Sequence, residues 1–311
     1  MRARGRRLPR TAAPLVLLLA VLAPSVARAQ QKLSGIGDSM MQGANARLSW
    51  WPPPGDQIQY SFGQGWDSTV NPVYRRYRLL GKLPAGEQFV SVDGAEMVGG
   101  RNNAPAQAQR VCAQLAKPDR IVLLLGANDV CNRSSVSTLY GADTFRAALD
   151  QALAILGSPT CGLPAGTWVH VMTVPPVNYL YSAGLEKQWS TGTPCQAIWY
   201  TASICPTVTR GSSTDRWIVA QRIAQYNAAI AAAVADAQGR FAPAVRFTTD
   251  WNPAPEACVG THRFRGRDLS DIDCFHPKWN TGQRTLACAT WASWESVALG
   301  GSGDEAGCFL Q

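Results

Sequence analysis

Three short apolar runs constrain this chain most, because each stops at a turn that carries chemically useful residues. Residues 32–36 lead into Gly37-Asp38-Ser39, residues 88–92 into Asp93-Gly94, and residues 121–125 into Gly126-Ala127-Asn128-Asp129. Two further runs, 167–174 and 244–248, also read as strands. Helical patterns lie between them. Residues 143–156 place Phe145, Leu149, Leu153 and Leu156 at helical spacing with Gly157 as a stop. Residues 215–238 carry the stripe Val219, Ile223, Tyr226, Ile230 and Val234, with Thr214 set to cap the start and Gly239 the end. This alternation predicts an α/β chain with a mainly parallel sheet, in which ligands gather beyond the carboxyl ends of the strands.

The beginning of the chain has a different build. Five arginines (Arg2, Arg4, Arg6, Arg7, Arg10) precede an apolar run at 15–23, and Ala27-Arg28-Ala29 follows. Basic, apolar and A-x-A segments in that order predict a signal peptide over 1–29, cleaved before Gln30, and the apolar run is too short to span a bilayer. An uncleaved anchor is the alternative. The expected product, residues 30–311, is one catalytic domain, secreted or periplasmic, with no stable transmembrane anchor. Loss of the six arginines of 1–29 lowers the formal charge from +8 to +2. No nucleic-acid partner is expected, since the dense basic clusters left, at 75–78 and 262–267, read as solvated loops.

Hydrophobic residues make up 46% and charged residues 16% of the chain, as in an ordered globular protein. All nine cysteines lie after residue 29, where an oxidising compartment allows up to four disulfides. Closeness in sequence suggests Cys195 with Cys205 and Cys258 with Cys274, although spacing alone does not fix a pattern. No CxxC occurs, which argues against a zinc or redox site. Two aromatic-rich stretches, near 45–87 and 178–213, are too long for simple connections and read either as walls of a substrate cleft or as small satellite cores.

Acyl transfer needs a nucleophile, a base, a group that orients the base, and donors for the oxyanion. Ser39 follows the first strand in a tight turn. Near the other end stands Asp273-Cys274-Phe275-His276-Pro277, where the proline sets His276 in a turn at a helix entrance. Asp273, three residues back, can reach Nδ1 and leave Nε2 for Ser39. Asp271 is its rival, with a poorer offset. Asn128 supplies a side-chain amide at a strand end, and Gly94 a backbone N–H unobstructed by a Cβ.

At these residues the chain resembles the SGNH (GDSL-type) serine hydrolase superfamily, whose four blocks contribute serine, glycine, asparagine and histidine in that order. Gly37-Asp38-Ser39 corresponds to the first block, with Met40 where leucine is usual; Gly94 corresponds to the second, 126–129 to the third, and Asp273 with His276 to the last. The motifs 104–108, 128–131 and 273–277 are similar to those of its phospholipase B-like branch. The resemblance implies a three-layer αβα, flavodoxin-like fold and a Ser39-His276-Asp273 triad. It also implies an oxyanion hole of the Ser39 and Gly94 backbone N–H groups and the Asn128 side chain. The expected activity is hydrolysis of small-molecule or lipid carboxylic esters without cofactor or metal. A sugar-ester deacetylase is the alternative, and a silent binding module a more distant one.

Other candidates have plainer roles. His170 alternates with Trp168 and Met172 on a strand and reads as packed, His262 reads as solvated, and Cys274 reads as a disulfide partner and not a nucleophile. A dinucleotide site is excluded because Gly35-Ile36-Gly37 lacks the third glycine and the acidic residue that follows it in such motifs.

Overall fold

The computed structural model describes residues 32–48, 54–79, 88–250 and 263–298. Four parallel strands form its sheet in the order β1 (Leu33–Gly37), β2 (Arg120–Leu124), β3 (Thr167–Val171), β4 (Val245–Thr249). Register runs from Leu33 opposite Arg120, through Arg120 opposite Trp168, to Thr167 opposite Val245. Four of the five expected strands are therefore present, shifted or trimmed at their ends.

The fifth, 88–92, is extended but incomplete as a strand. Gln88, Val90 and Val92 donate their N–H groups to Leu33, Gly35 and Gly37 of β1. Side chains take the groups that a full ladder would use in return. The Gln88 carbonyl accepts from Ser34 Oγ and Gln114 Nε2, and the Gly37 N–H donates to Gln107 Oε1. With this segment counted in chain order, the spatial sequence is 2-1-3-4-5, the flavodoxin-like arrangement.

Both faces of the sheet are covered, as parallel sheets require. Ile121, Leu123 and Leu125 point into one apolar cluster and Val122 and Leu124 into the other, following the period-two alternation of a strand. On the first face pack α3 (Ala104–Ala113), α5 (Ala142–Gly157) and α9 (Ser213–Phe241). On the second pack the short α1 (Ser39–Gln42), α2 (Val73–Leu79) and α10 (Arg284–Ala298). Short α4 (Ala127–Cys131) follows β2.

The α9 stripe is core, as its spacing predicts, but its ends differ. Ser212, not Thr214, is the N-cap: its Oγ accepts the Asp215 N–H, and the Asp215 carboxylate accepts the Ser212 N–H in turn, which completes a capping box. The helix passes through Gly239 and ends before Pro243, which cannot supply the next N–H. The basic cluster at 75–78 lies on α2 and not in a loop, with Arg76 and Arg78 set over the rings of Trp291 and Tyr74.

The two aromatic stretches have separate fates. Tyr60, Phe62, Tyr74 and Tyr77 of the first are buried in the second-face core against Trp291 and Trp294. The second folds into α6 (Leu180–Thr191), α7 (Cys195–Ala202) and α8 (Pro206–Thr209), whose Leu180, Trp199 and Val208 join the first-face core. Disulfides link Cys112–Cys161, Cys131–Cys205 and Cys195–Cys274, and Cys288 is also bonded. The expected pairs are thus replaced. Helix α7 separates the two, with Cys195 at its start and Cys205 beyond its end, and each is bonded to a partner distant in sequence. Cys258 and His262 lie outside the described residues.

Phe145 is fully buried and stacks on Tyr226 with ring centroids 4.0 Å apart. Phe145→Ala should lower unfolding free energy by about 3–5 kcal/mol, read from the midpoint of urea unfolding, whereas a loss below ~1 kcal/mol would show that this part of the core is not close-packed.

Candidate functional site

The site forms where β1 and β2 end. Beyond Gly37, Asp38 turns the chain and caps α1 by accepting the Met40 N–H at 2.9 Å, which leaves Ser39 as the first helical residue. Gln107 of α3 holds the turn from behind, since its amide both accepts the Gly37 N–H and donates to the Gly37 carbonyl, each at 2.9 Å. Ser39 is buried but still lines the cavity surface.

Beyond β2, Gly126 takes φ +121°, a conformation that disfavours side chains, and starts α4 with Asn128 in its first turn. Asn128 Nδ2 donates to the Ala95 carbonyl at 3.0 Å and contacts Asp38 Oδ2 at 3.4 Å. The neighbouring Asp129 accepts the N–H groups of Met97 and Val98, at 2.6 and 3.0 Å. Together they tie down the loop that carries Gly94. Gly94 has φ +68° and open space where a Cβ would stand, so backbone conformation and not crowding is what calls for glycine.

The last turn closes on itself. Leu269 and Pro277 form an antiparallel bridge, and the Ser270 N–H donates to the His276 carbonyl at 2.8 Å. Inside it Asp273 Oδ1 accepts the N–H groups of Phe275 and His276, at 2.9 and 3.0 Å, while Oδ2 receives Nδ1 of His276 at 2.6 Å. Asn45 Nδ2 donates to the same Oδ2 at 2.8 Å. Asp271, the rival, is instead paired with Lys187 and Lys278.

Charge in the site follows from burial and neighbours. Burial drives Asp38 up to about 7, against the pull of the Met40 N–H and His276, and likewise lifts Asp129 to about 7. Burial also disfavours the charged form of His276, but Asp273, then Asp38 and Asp93, more than offset it and hold the imidazole above its ordinary value. Asp273 stays below the ordinary carboxylate value despite its burial, because His276, Asn45 and the Phe275 N–H favour the anion.

Two spaces meet here. A narrow slot of about 580 Å³, open mouth included, is lined by Ser39, Asn128 and His276 and walled by apolar residues that include Pro176, Leu180, Ala183, Leu269 and Phe275. A wide cleft of about 2230 Å³, measured the same way, takes in Ser39, Gly94, Asn128, Asp273 and His276 and extends over polar groups such as Asn132, Ser134 and Arg210. All five candidate residues thus border one space, and three of them border both. The second aromatic stretch walls both spaces, while among the described residues of the first only Asn45 lines either.

His170 stands apart from the site. It is fully buried between Thr248 and Ser293, each 2.9 Å from a ring nitrogen, lies parallel to the Trp294 ring, and is pushed down to about 3 by burial. Asp38, Asn45 and Gln107 are site residues that the sequence motifs did not single out individually. Asn45 is 228 positions from its partner and has no local signal, whereas Asp38 lies within the Gly37-Asp38-Ser39 turn. Among the described residues no group of three or more His, Cys, Asp or Glu is placed to hold a metal ion, and no helix is long and apolar enough to cross a membrane.

No curated protein matches this sequence. Among solved structures, the chain is similar to a family two carbohydrate esterase from Clostridium thermocellum, at 14% identity and a TM-score of 0.44, covering 87% of this chain and 65% of that one. It therefore spans under two-thirds of that esterase's length. It is also similar to LAE5, an alpha/beta hydrolase enzyme from the metagenome of Lake Arreo, Spain, at 15% identity and a TM-score of 0.43, covering 85% of this chain and 94% of that one. The sequence model of one family spans both ends of the site, matching residues 36–279. The chain belongs to the GDSL-like lipase/acylhydrolase family.

Proposed function

We propose that this protein is an exported carboxylic ester hydrolase in which Ser39 is the nucleophile, His276 the general base and Asp273 its orienting anion. One observation carries the reading: Asp273 binds Nδ1 of His276 at 2.6 Å, and His276 lines the same narrow slot as Ser39. An anion on Nδ1 keeps the proton there and leaves Nε2 as the basic nitrogen. Ser39 Oγ attacks the ester carbonyl as His276 takes its proton, giving a tetrahedral oxyanion. His276 then protonates the departing alcohol as the ester C–O bond breaks, which leaves the acyl-serine, and finally activates the water that releases the acid. The oxyanion is held by the backbone N–H groups of Ser39 and Gly94 and by Asn128.

The apolar walls of the slot favour an aliphatic acyl chain. Surfaces such as Leu180, Leu269 and Phe275 gain by being covered, at roughly 25 cal/mol per Å² of apolar area. The polar cleft on the other side of Ser39 is the feature that favours the second reading, a sugar-ester deacetylase, because it offers hydroxyl, amide and guanidinium groups to a hydrophilic alcohol. Export is supported by the basic, apolar and A-x-A order of 1–29 and by the disulfides.

With p-nitrophenyl esters from acetyl to palmitoyl, turnover should rise beyond acetyl and vanish in Ser39→Ala. An acetyl-only profile selects the deacetylase, and full activity in Ser39→Ala overturns the nucleophile. Asn128→Ala should lower turnover about a hundred- to a thousand-fold with the fold intact; a loss under tenfold would remove it from the oxyanion hole.

The pH dependence has a definite sign. The base works as neutral imidazole, so a raised pKa leaves more of it protonated at a given pH, and the rate should rise through a midpoint above about 6.5. Asp38→Asn removes one of the charges that hold His276 up, and should move that midpoint to lower pH. A parent midpoint at or below the free-histidine value would contradict the Asp273-dominated pairing.

A further inference from the structure

Lys187 is a cation with almost no contact with water, its side chain 1% exposed, on the inner face of α6. A buried ammonium is costly unless fully paired. Its partners are all in the turn that carries His276: Nζ donates to the Leu269 carbonyl at 3.0 Å and to Asp271 Oδ1 at 2.5 Å. Lys278 grips the other oxygen of Asp271 at 2.8 Å. Two more contacts reach the same turn from α7. Cys195 is bonded to Cys274, and Trp199 Nε1 donates to the Cys274 carbonyl at 3.2 Å. The helices are themselves tightly joined, since Gly184 lies so close to the Trp199 ring that an added Cβ would stand 1.9 Å from it.

Four contacts from three residues therefore run from 187–199 into 269–274, the residues that lead up to Phe275 and His276. Held against the second aromatic stretch, this turn has its beginning fixed by Lys187 and its tip by Cys195 and Trp199. Resting on the ester-hydrolase reading above, we propose that Lys187 is a positioning residue for His276, keeping Asp273 and the imidazole in register through Leu269 and Asp271. Among the described residues, Asp38, Asp56 and Asp93 also act on His276 through charge, besides Asp273.

The test uses the full chain with Lys187→Met, which keeps the length and removes the charge. Loss of a cation acting through charge alone would ease protonation of His276 and raise its pKa. Loosening of the Asp273 pair does the opposite. The chain has three histidines, so the His276 ring can be followed by NMR titration. The expected result is a His276 pKa below the parent's, with the rate of Ser39 labelling by a fluorophosphonate, read on its high-pH plateau, down about tenfold or more, as a misplaced catalytic group would cause. A His276 pKa at or above the parent's, with labelling unchanged, overturns the proposal. If Lys187→Met does not fold, Asp271→Asn decides: the residue is one-third exposed, and the plateau labelling rate should fall several-fold or the proposal is lost. A chain that hydrolyses no ester still reports the titration, so this inference and the esterase reading fail separately.

Discussion

Parallel strands cannot be joined by a hairpin, and the crossovers they require bring every strand to its end on the same rim. In this chain the pairing of β1 with β2 is the contact on which the remainder depends. It sets the Asp38-Ser39 turn beside α4, so that Asp38 and Asn128, ninety positions apart, come within 3.4 Å. It also buries both strand faces, so that alternate residues of β2 enter opposite cores. The last turn, carrying His276, is not part of the sheet. It reaches the rim through Asn45, whose carbonyl accepts from Ser270 Oγ and whose amide donates to Asp273.

The chemistry of the rim follows from unequal treatment of its carboxylates. Asp273 receives four hydrogen bonds, from two backbone N–H groups, one amide and one imidazole, and remains an anion. Asp38 is as deeply buried but has one firm donor, and burial dominates. Two aspartates near one histidine are thus separated in acidity: the His276 charge and the hydrogen bonds outweigh burial at Asp273, and burial prevails at Asp38.

Much of this was legible in the sequence because it was local. The turns that follow the strands and the Asp273–His276 offset are written within a few residues of each other, whereas Gly94, read as a site of close N–H approach, is called for by its left-handed φ of +68°. The packed role of His170 followed from alternation along β3. What escaped was long-range. Residues 88–92 read as a strand by composition, yet groups its ladder needs are taken by Ser34, Gln107 and Gln114, side chains from elsewhere in the chain. The disulfide partners escaped for the same reason, since α7 had to be seen as a helix before Cys195 could be sent to Cys274. At α9 the sequence pointed to Thr214 as the cap; Ser212 holds that place because its N–H finds an acceptor in Asp215, three residues on.

The two disulfides nearest the site share a geometry with a consequence in time. Cys131 closes α4, the helix that bears Asn128, and is bonded to Cys205; Cys274 adjoins Asp273 and is bonded to Cys195. Both therefore moor opposite sides of the rim to one stretch, 195–205. Sheet formation alone can bring the rim together, but its two sides become covalently locked to a common strut only when these thiols are oxidised. Maturation of the site is in this sense a redox event, completed in whichever compartment the chain first meets an oxidant.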